Sequence, residues 1–506
     1  MHSAIKRCGP LLLFAGLSLA VFSPVLLGTY TSDGRVFIER LGPLPARALA
    51  ALVQPMEFAP TTGMLSWRPL TGLTMMLLDV RLFHANPMLS QGFTLLWHAI
   101  NTGLLFLLIR RLSPSRRASA WIGALLFLLH PLVTEAVLCM GFRADVMAAT
   151  AILGCALLAL RWQEHGGASW LLGMASVFAL GLLTKEIAAV ALACIPFLLL
   201  LREPATQSRW RTSLIAGATL LVPLAIFGWL WLRFRWPDYP AQFLGANGRW
   251  WGMANALVVW REEYFAHLLW PWPLRNNIPF EPITHCADPR LLMTCATLAL
   301  LALVVWLARQ PLTLIGALWY GAAFLPVAQL TPVPDPVAER FCYVPLLGAA
   351  LLAAGLLERL ALCYPRTRWW RIGGLTLAAA LACVAYRRAW DWRDDLTLNI
   401  ANWENADDTS FLALENLGGL YLLKADQLRQ AGQEQAAQAA LREAQKNLAQ
   451  LLYANERHAR GHRLYAIWAL TTGHRELARQ HAARALALAP TDPQIQATAH
   501  AAGINL

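Results

Sequence analysis

Apolar residues along this chain are gathered in long runs separated by short polar segments, a pattern that predicts membrane-spanning helices. A spanning helix needs about 20 apolar residues, and fewer where a bundle of helices buries it. The runs that meet this requirement cover 11–28, 92–109, 118–132, 146–160, 170–183, 187–201, 214–232, 291–308, 312–330, 341–357 and 372–386. The predicted fold class is therefore all-α, with about eleven transmembrane helices.

Positively charged side chains are concentrated in every second segment between these runs, and this bias predicts the orientation. Lys6, Arg7, Arg110, Arg161 and Arg202 all lie in such segments. Short loops rich in Lys and Arg stay in the cytoplasm. The N-terminus is then predicted to be cytoplasmic. With an odd number of spans, the C-terminal region is predicted to lie on the outer side.

The segment 253–272 decides whether that number is odd. It is apolar enough to resemble a twelfth span, but Arg261, Glu262 and Glu263 lie in its middle. A charge at the centre of a span costs about 2.5–3.5 kcal/mol. We therefore expect an amphipathic helix along the outer surface, within a long outer loop over 236–290.

Composition agrees with a membrane protein and narrows the function classes. Hydrophobic residues make up 57% and charged residues 14%, whereas a soluble domain has about 25% charged residues. The net charge of +12 could indicate a nucleic-acid partner. However, the basic residues lie in short loops without a stripe of interleaved aromatic residues, so we expect no nucleic acid. Neither metal-ligand spacing nor a Gly-rich phosphate loop is present, so no metal or nucleotide cofactor is predicted.

Ionisable residues near the apolar runs concentrate at the predicted outer ends. At membrane depth such groups are expensive and usually functional. The set consists of Asp33, Arg35, Glu39, Arg68, His130, Glu135, Arg143, Asp145, Lys185, Glu186, Arg261, Glu262, Glu263, Asp335, Glu339 and Arg340. Acids and bases from separate segments at one face predict a polar cavity that several helices build. The alternative is a set of ordinary loop charges and helix caps.

A polar cavity of this kind suits one type of chemistry. Basic groups beside a bilayer suit a lipid-linked phosphate, which Arg can bind with two hydrogen bonds. A carboxylate in the first outer loop suits a general base that removes a proton from an acceptor hydroxyl. Together these features favour group transfer from a lipid phosphate carrier.

Four ordered sequence blocks resemble a known family. The first block joins WRPLT over 67–71 to NP over 86–87 and WH over 97–98. The second reads HPLVTEAV over 130–137 and closes with GFRAD over 141–145. The third is TKE over 184–186, and the fourth is AERFCYVP over 338–345. They are similar to the RPL…NxxLH, HPxxTEAV…GRAD, SKE and AERxxYxP blocks of the transmembrane and TPR-containing O-mannosyltransferases.

The resemblance implies a GT-C fold and a sugar donor carried on polyprenyl phosphate, of undecaprenyl or dolichyl type, that is used on the outer side. In eukaryotic members the donor is dolichyl-phosphate mannose and the acceptors are Ser or Thr hydroxyls of proteins. The family's first outer loop, predicted here over 30–90, carries a paired acid motif. Only Asp33 fits that motif, because Gly34 stands in the second place.

The resemblance also implies roles for single residues. Asp33 is expected to be the general base, with Glu135 and Asp145 as further catalytic residues. Arg143 and Arg340 are expected to hold the phosphate. The other residues expected to bind or shape the site are Arg68, His130, Lys185, Glu186 and Glu339. Two alternatives stay open, namely helix capping by His130 and Glu135 and a local ion pair between Glu339 and Arg340.

The composition changes after the last apolar run, which predicts a second domain. We place the membrane catalytic domain at 1–389 and a TPR-like helical repeat domain at 390–506. Leu417, Gly418 and Tyr421 match the first helix of a TPR unit, and second-helix patterns begin at Gly432 and Gly473. Such repeats stack and present binding surfaces. An acceptor protein is therefore expected to dock on this domain; an ordinary helical cap is the alternative.

Other function classes stay open. The nearest is an oligosaccharyltransferase or O-antigen ligase that uses a lipid diphosphate donor. A transporter of lipid-linked sugars is another, although the chain shows no duplicated halves. A scaffold would not need so many spans. Low Lys content beside high Arg, Ala, Leu and Trp content is typical of a GC-rich bacterial genome. A bacterial source predicts undecaprenyl phosphate as the carrier and the inner membrane as the location, with the C-terminal domain in the periplasm.

The predicted orientation can be tested with reporter fusions. A phosphatase that is active only outside the cytoplasm should be active when fused after Leu506. A silent phosphatase together with an active cytoplasmic reporter at the same position would contradict the odd number of spans.

Overall fold

The structure, a computed structural model, describes most of the chain. The described residues are 2–41, 56–59, 64–114, 117–202, 208–234, 248–276, 278, 280–330, 337–364, 368–405 and 411–504. Asp335 and parts of both predicted outer loops (42–55, 60–63, 236–247, 277 and 279) lie outside these residues. The chain divides into two compact units. Unit 1 comprises Met1–Leu274 and Phe280–Arg393, and unit 2 comprises Arg275–Pro279 and Asp394–Leu506.

Each of the predicted apolar runs forms helix in unit 1, so the all-α fold class is confirmed. The α-helices are α1 (His2–Val21), α2 (Asp33–Leu41), α3 (Pro69–Thr74), α4 (Pro87–Leu112), α5 (Arg117–Leu129), α6 (Thr134–Leu138), α7 (Arg143–His165), α8 (Ala168–Thr184), α9 (Ala191–Leu201), α10 (Arg209–Phe234), α11 (Arg249–Val259), α12 (Ala266–Leu269), α13 (Pro289–Ala308), α14 (Pro311–Ala323), α15 (Tyr343–Cys363) and α16 (Trp369–Asp391).

Short irregular helices and one small hairpin connect these elements. The 3-10 helices are Ser23–Leu27, Pro131–Val133, Met140–Phe142, Glu186–Val190, Leu325–Val327 and Glu339–Cys342, and the π-helices are Met75–Leu82 and Trp260–Phe265. Strands β1 (Met56–Ala59) and β2 (Met64–Ser66) pair antiparallel, with Met56 opposite Ser66 and a register irregularity between Glu57 and Ala59. Most of the 3-10 helices interrupt apolar segments at the positions where the motif blocks lie.

Among the described helices, six are long and apolar enough to cross a membrane. A seventh crossing results if α5 and the bent continuation Pro131–Leu138 count as one span, and four shorter apolar helices account for the other runs. The chain is therefore a multi-pass membrane protein. The count of eleven spans remains a prediction.

Burial separates central from peripheral helices. In the apolar part of Met140–His165, 78% of the residues are buried, against 11% in Pro289–Ala308. The outer face of α13 carries exposed apolar side chains such as Leu300 and Leu307. A soluble protein avoids large exposed apolar patches, so this face is suited to lipid.

Helices α14 and α15 pack at very short range because small residues line their contact. A Cβ atom at Gly316 would overlap the backbone of Leu352, and one at Gly348 would overlap the backbone of Tyr320. Gly355 likewise lies against Thr313. Small residues allow this close approach between membrane helices, where van der Waals packing stabilises association.

The ambiguous segment 253–272 is helical from Arg249 to Leu269, through α11, Trp260–Phe265 and α12. Arg261 donates hydrogen bonds to the Glu262 carboxylate at 2.5 Å and to the Thr294 hydroxyl at 3.2 Å. The helical conformation is as expected, and the placement of this helix on the outer surface remains a prediction.

Unit 2 consists of helical hairpins. Its α-helices are α17 (Asp395–Glu404), α18 (Phe411–Gln430), α19 (Glu434–Ala454), α20 (Ala459–Thr471), α21 (Arg475–Leu488) and α22 (Pro493–Ala501). Gly432 and Gly473 have φ angles of 73° and 84° and lie at the turns of two hairpins, where glycine adopts the left-handed region without strain. A core that includes Leu441, Leu448 and Trp468 joins the hairpins. The TPR assignment remains a prediction.

The close contact of α14 and α15 makes a testable prediction. Gly348→Leu should lower the melting temperature of the full-length protein by about 5 °C or more, because the new side chain must push two backbones apart. Gly321→Leu is the matched control, since nothing lies within 4 Å of a Cβ there. Equal melting temperatures for the two variants would contradict the packing described here.

Candidate functional site

The first and third motif blocks contact each other through a bidentate ion pair. Arg68 precedes α3 and donates to both carboxylate oxygens of Glu186, from Nε at 3.1 Å and from Nη2 at 2.5 Å. Nearby, the Thr71 hydroxyl donates to the Thr184 carbonyl at 2.8 Å. Burial acts to lower the pKa of Arg68, but the neighbouring Glu186 carboxylate outweighs this effect and raises it. The guanidinium therefore stays charged.

The third block also pairs with the second. Lys185, in the turn between α8 and Glu186–Val190, donates to both oxygens of Asp145 at 2.7 and 2.6 Å. Asp145 lies in the first turn of α7. The two side chains are 9% and 4% exposed. A buried ion pair of this geometry fixes the helix start against the turn.

The second and fourth blocks meet at Glu135 and Arg340. One oxygen of Glu135 accepts from the Arg340 side chain at 2.5 Å, and the other accepts from the Arg340 backbone N–H at 2.7 Å. The Arg340 guanidinium lies 4.2 Å from the centre of the Phe142 ring. A carboxylate and an aromatic face therefore hold this side chain in one orientation.

These three pairs form one cluster. Lys185 lies within electrostatic range of Arg68, Glu186 and Arg340 as well as Asp145. The exposed fractions are 23% for Arg68, 12% for Arg340 and 44% for Glu186. The structure thus brings together Arg68, Glu135, Asp145, Lys185, Glu186 and Arg340, six of the residues predicted from sequence. We call this group the motif cluster.

Asp33 lies beside the second block. It begins α2, and a Cβ atom added at Gly141 would lie 2.9 Å from the Asp33 Cβ and 3.0 Å from the Gly34 nitrogen. The first outer loop can therefore approach the second block this closely only because residue 141 is a glycine. Gly141 belongs to the one-turn helix Met140–Phe142, whose Phe142 ring contacts Arg340. This short helix lies between the predicted base and the motif cluster.

The residues around position 34 do not require a glycine there. A Cβ atom there would have its nearest neighbours at 3.6 Å or more, which is ordinary van der Waals contact. The structure gives no steric reason for the missing second acid.

Arg143 is placed differently from what the resemblance implied. It is fully buried and donates to both oxygens of Asp79 at 2.7 and 2.9 Å, to the Thr94 hydroxyl at 2.8 Å and to the Ser90 carbonyl at 2.9 Å. This geometry favours a structural role over contact with a phosphate. Sequence reasoning missed Asp79, although an acid inside the apolar segment 75–82 was a signal.

Glu339 faces a partner that sequence reasoning also missed. Its side chain is 3% exposed and lies 3.6 Å from Nη2 of Arg388 on α16. Arg388 also donates to Asp391 at 3.2 Å. Neither Glu339 oxygen has a hydrogen-bond partner among the described residues. Arg388 resembled an ordinary basic residue at a helix end, so only the fold reveals the pair.

His130 caps a helix, which was one of the open alternatives. Its Nδ1 accepts from the Leu132 backbone N–H at 3.2 Å, so Nε2 carries the proton and donates to the Leu268 carbonyl at 3.2 Å. With both nitrogens engaged, His130 links the second block to α12.

A last contact joins the first and fourth blocks. His98 Nδ1 and the Tyr343 hydroxyl are 2.8 Å apart, and Asn101 donates to the same hydroxyl at 3.1 Å. Polar contacts therefore connect all four blocks, some through buried and some through partly exposed side chains. Among the described residues, no group of three or more His, Cys, Asp or Glu is arranged to hold a metal.

Comparison with known proteins agrees with the sequence blocks. The model of a family described as dolichyl-phosphate-mannose-protein mannosyltransferase matches residues 68–231. A protein O-mannosyl-transferase from Caenorhabditis elegans is 25% identical over 351 residues, which are 66% of this chain and 48% of that protein. The chain thus spans about half the length of this relative. The two matches confirm the resemblance to O-mannosyltransferases.

Two solved structures were also found. ArnT from Cupriavidus metallidurans bound to undecaprenyl phosphate is 16% identical with a TM-score of 0.44, covering 94% of this chain and 80% of that chain. The oligosaccharyltransferase from Archaeoglobus fulgidus is 13% identical with a TM-score of 0.40, covering 82% and 57%.

The buried pair of Arg143 and Asp79 yields a prediction that separates structure from chemistry. Arg143→Met should destabilise the protein strongly, because breaking a buried pair leaves one charge unpaired, at a cost of about 3–5 kcal/mol. Adding Asp79→Leu should restore the melting temperature and also any activity of the wild type. A double variant that is stable but inactive would show that Arg143 contacts substrate.

Proposed function

We propose that this chain is a GT-C glycosyltransferase that moves a sugar from a polyprenyl-phosphate carrier to an acceptor hydroxyl. The motif cluster carries the proposal, because three cations from separate sequence blocks lie together, each held by a carboxylate. Carboxylate and phosphate present similar oxygen pairs to a guanidinium. Side chains held in this way are already oriented for a phosphate.

The two arginines of the motif cluster suit different tasks. The Glu186 carboxylate that pairs with Arg68 is 44% exposed, so it can turn toward water and leave its place to a phosphate. The Glu135 carboxylate that pairs with Arg340 is 1% exposed and stays in place. We therefore assign Arg68 to exchange its partner for the donor phosphate. Arg340 remains a fixed positive charge beside it.

The reaction follows from these charges. The acceptor oxygen attacks the anomeric carbon of the sugar, and the bond from that carbon to the phosphate oxygen breaks. The electron pair leaves with the lipid phosphate, whose added negative charge Arg68, Lys185 and Arg340 stabilise. Asp33 takes the proton of the acceptor hydroxyl. A general base of this kind raises the reaction rate by about 10²–10⁴-fold.

The setting of the reaction is part of the proposal. The Lys and Arg bias of the loops supports an outer-face site and a cytoplasmic N-terminus. Composition supports a bacterial inner membrane with undecaprenyl phosphate as the carrier. With an odd number of spans, the outer side that we propose for unit 2 is then the periplasm. Protein Ser or Thr hydroxyls are the proposed acceptors, with docking on the helical hairpins of unit 2.

The function can be tested with full-length protein in nanodiscs and a set of polyprenyl-linked sugars. We expect transfer from a monophosphate donor, reduced about 10²–10⁴-fold by Asp33→Asn. Glu39→Gln is the matched control, because Glu39 lies on the same helix α2 and is 68% exposed; it should keep full activity.

Two results would contradict the proposal. Full activity of Asp33→Asn, with normal folding, would remove Asp33 as the base. Transfer only from a lipid diphosphate would favour an oligosaccharyltransferase or ligase instead.

A further inference from the structure

Two cavities in unit 1 lie along α14, one between α14 and α9 and the other at the start of α14 beside Arg202, which follows α9. The larger, of about 340 Å³, is apolar and is lined by residues that include Cys194, Phe197, Leu318 and Leu325. The smaller, of about 200 Å³, is lined by Arg202, Gln310 and Glu358 together with apolar side chains. Ile315 lines both cavities. One groove therefore has a charged end and an apolar continuation.

The charged end lies away from the motif cluster. Glu186 begins the helical segment that α9 completes, and Arg202 follows its last residue. At 1.5 Å per residue, these ends are about 24 Å apart, which is most of the about 30 Å hydrocarbon core. A donor with its phosphate at the motif cluster would therefore not place that phosphate beside Arg202.

The charged end carries both signs. The Glu358 side chain is buried and accepts a hydrogen bond from the Ser119 hydroxyl at 3.0 Å. Arg202 donates to Gln163 at 3.2 Å and to Glu164 at 2.7 Å, and Glu164 also accepts from Arg111 at 2.9 Å. Two arginines thus share one carboxylate, which leaves an excess of positive charge on the Arg202 side.

The whole groove, from its charged end to its apolar end, has about the depth of one leaflet. From Gln310 to Ala322 the groove follows α14 for about 18 Å at 1.5 Å per residue, and one leaflet is half of the about 30 Å core. An acyl chain that enters this groove exchanges contact with other lipid tails for van der Waals contact with the side chains of the two helices.

We propose that this groove binds a phospholipid with a zwitterionic, primary-amine headgroup of the phosphatidylethanolamine type. The lipid phosphate pairs with Arg202, the ammonium donates to Glu358, and one acyl chain runs past Ile315 into the apolar cavity. A primary ammonium donates hydrogen bonds to a buried carboxylate, which a quaternary amine cannot do. The site is separate from the proposed donor site and does not depend on sugar transfer.

Lipid retention by the full-length protein tests the site. Native mass spectrometry should compare phosphatidylethanolamine, phosphatidylcholine and phosphatidylglycerol with identical acyl chains. The wild type should bind the ethanolamine lipid about tenfold more tightly than the other two. Glu358→Gln should lower that affinity about tenfold and leave the glycerol lipid unaffected, while Arg202→Gln should weaken both.

Controls keep the test decisive. Arg359→Gln, a neutralisation at the exposed residue next to Glu358, should change nothing. Ile315→Trp should block the groove and release all three lipids. If Glu358→Gln fails to fold, the lipid preference of the wild type decides. Equal affinity of the wild type for the three lipids would overturn the proposal. Displacement of the bound lipid by undecaprenyl phosphate would also overturn it, because the groove would then hold the donor chain.

Discussion

A charged side chain buried among apolar helices must find a partner, and this constraint organises the membrane unit. An isolated charge in a low-dielectric interior is strongly unfavourable, and a well-formed pair with hydrogen bonds offsets that penalty. Arg143 with Asp79, Lys185 with Asp145 and Arg340 with Glu135 all meet this condition. In each case the two partners lie far apart in sequence. Satisfying the charges therefore draws distant segments of the chain to one place.

This constraint explains how the candidate site and the fold depend on one another. The short helices that carry the blocks interrupt longer apolar segments. The charged side chains of the blocks therefore lie where longer helices begin or end. Glycines such as Gly141 let these ends approach closely. The motif cluster is nearly neutral as a whole, because each cation has a carboxylate. A donor phosphate would then have to replace a carboxylate, and the exposed Glu186 is the one best placed to yield.

Hydropathy was sufficient to predict the helices of unit 1, because a run of apolar residues has few alternatives in a bilayer. Charges such as Lys185 and Glu135 stood out for the same reason, since they are rare in such a sequence. Their partners could not be predicted. Whether Arg143 meets Asp79 or a phosphate depends on which helices pack together, and the same holds for Glu339 with Arg388. The close contact between Gly141 and Asp33 likewise depends on how the chain folds.

If ion pairs between the motif blocks build the proposed site for a lipid-linked phosphate, the affinity for such a phosphate must depend on them. The deciding measurement is the dissociation constant of undecaprenyl phosphate for full-length protein in nanodiscs. The wild type is compared with a double variant, Glu135→Gln with Arg340→Gln, which removes both charges and leaves no unpaired one. We expect a melting temperature close to that of the wild type and binding weakened about tenfold or more. Unchanged affinity in a folded double variant would contradict it.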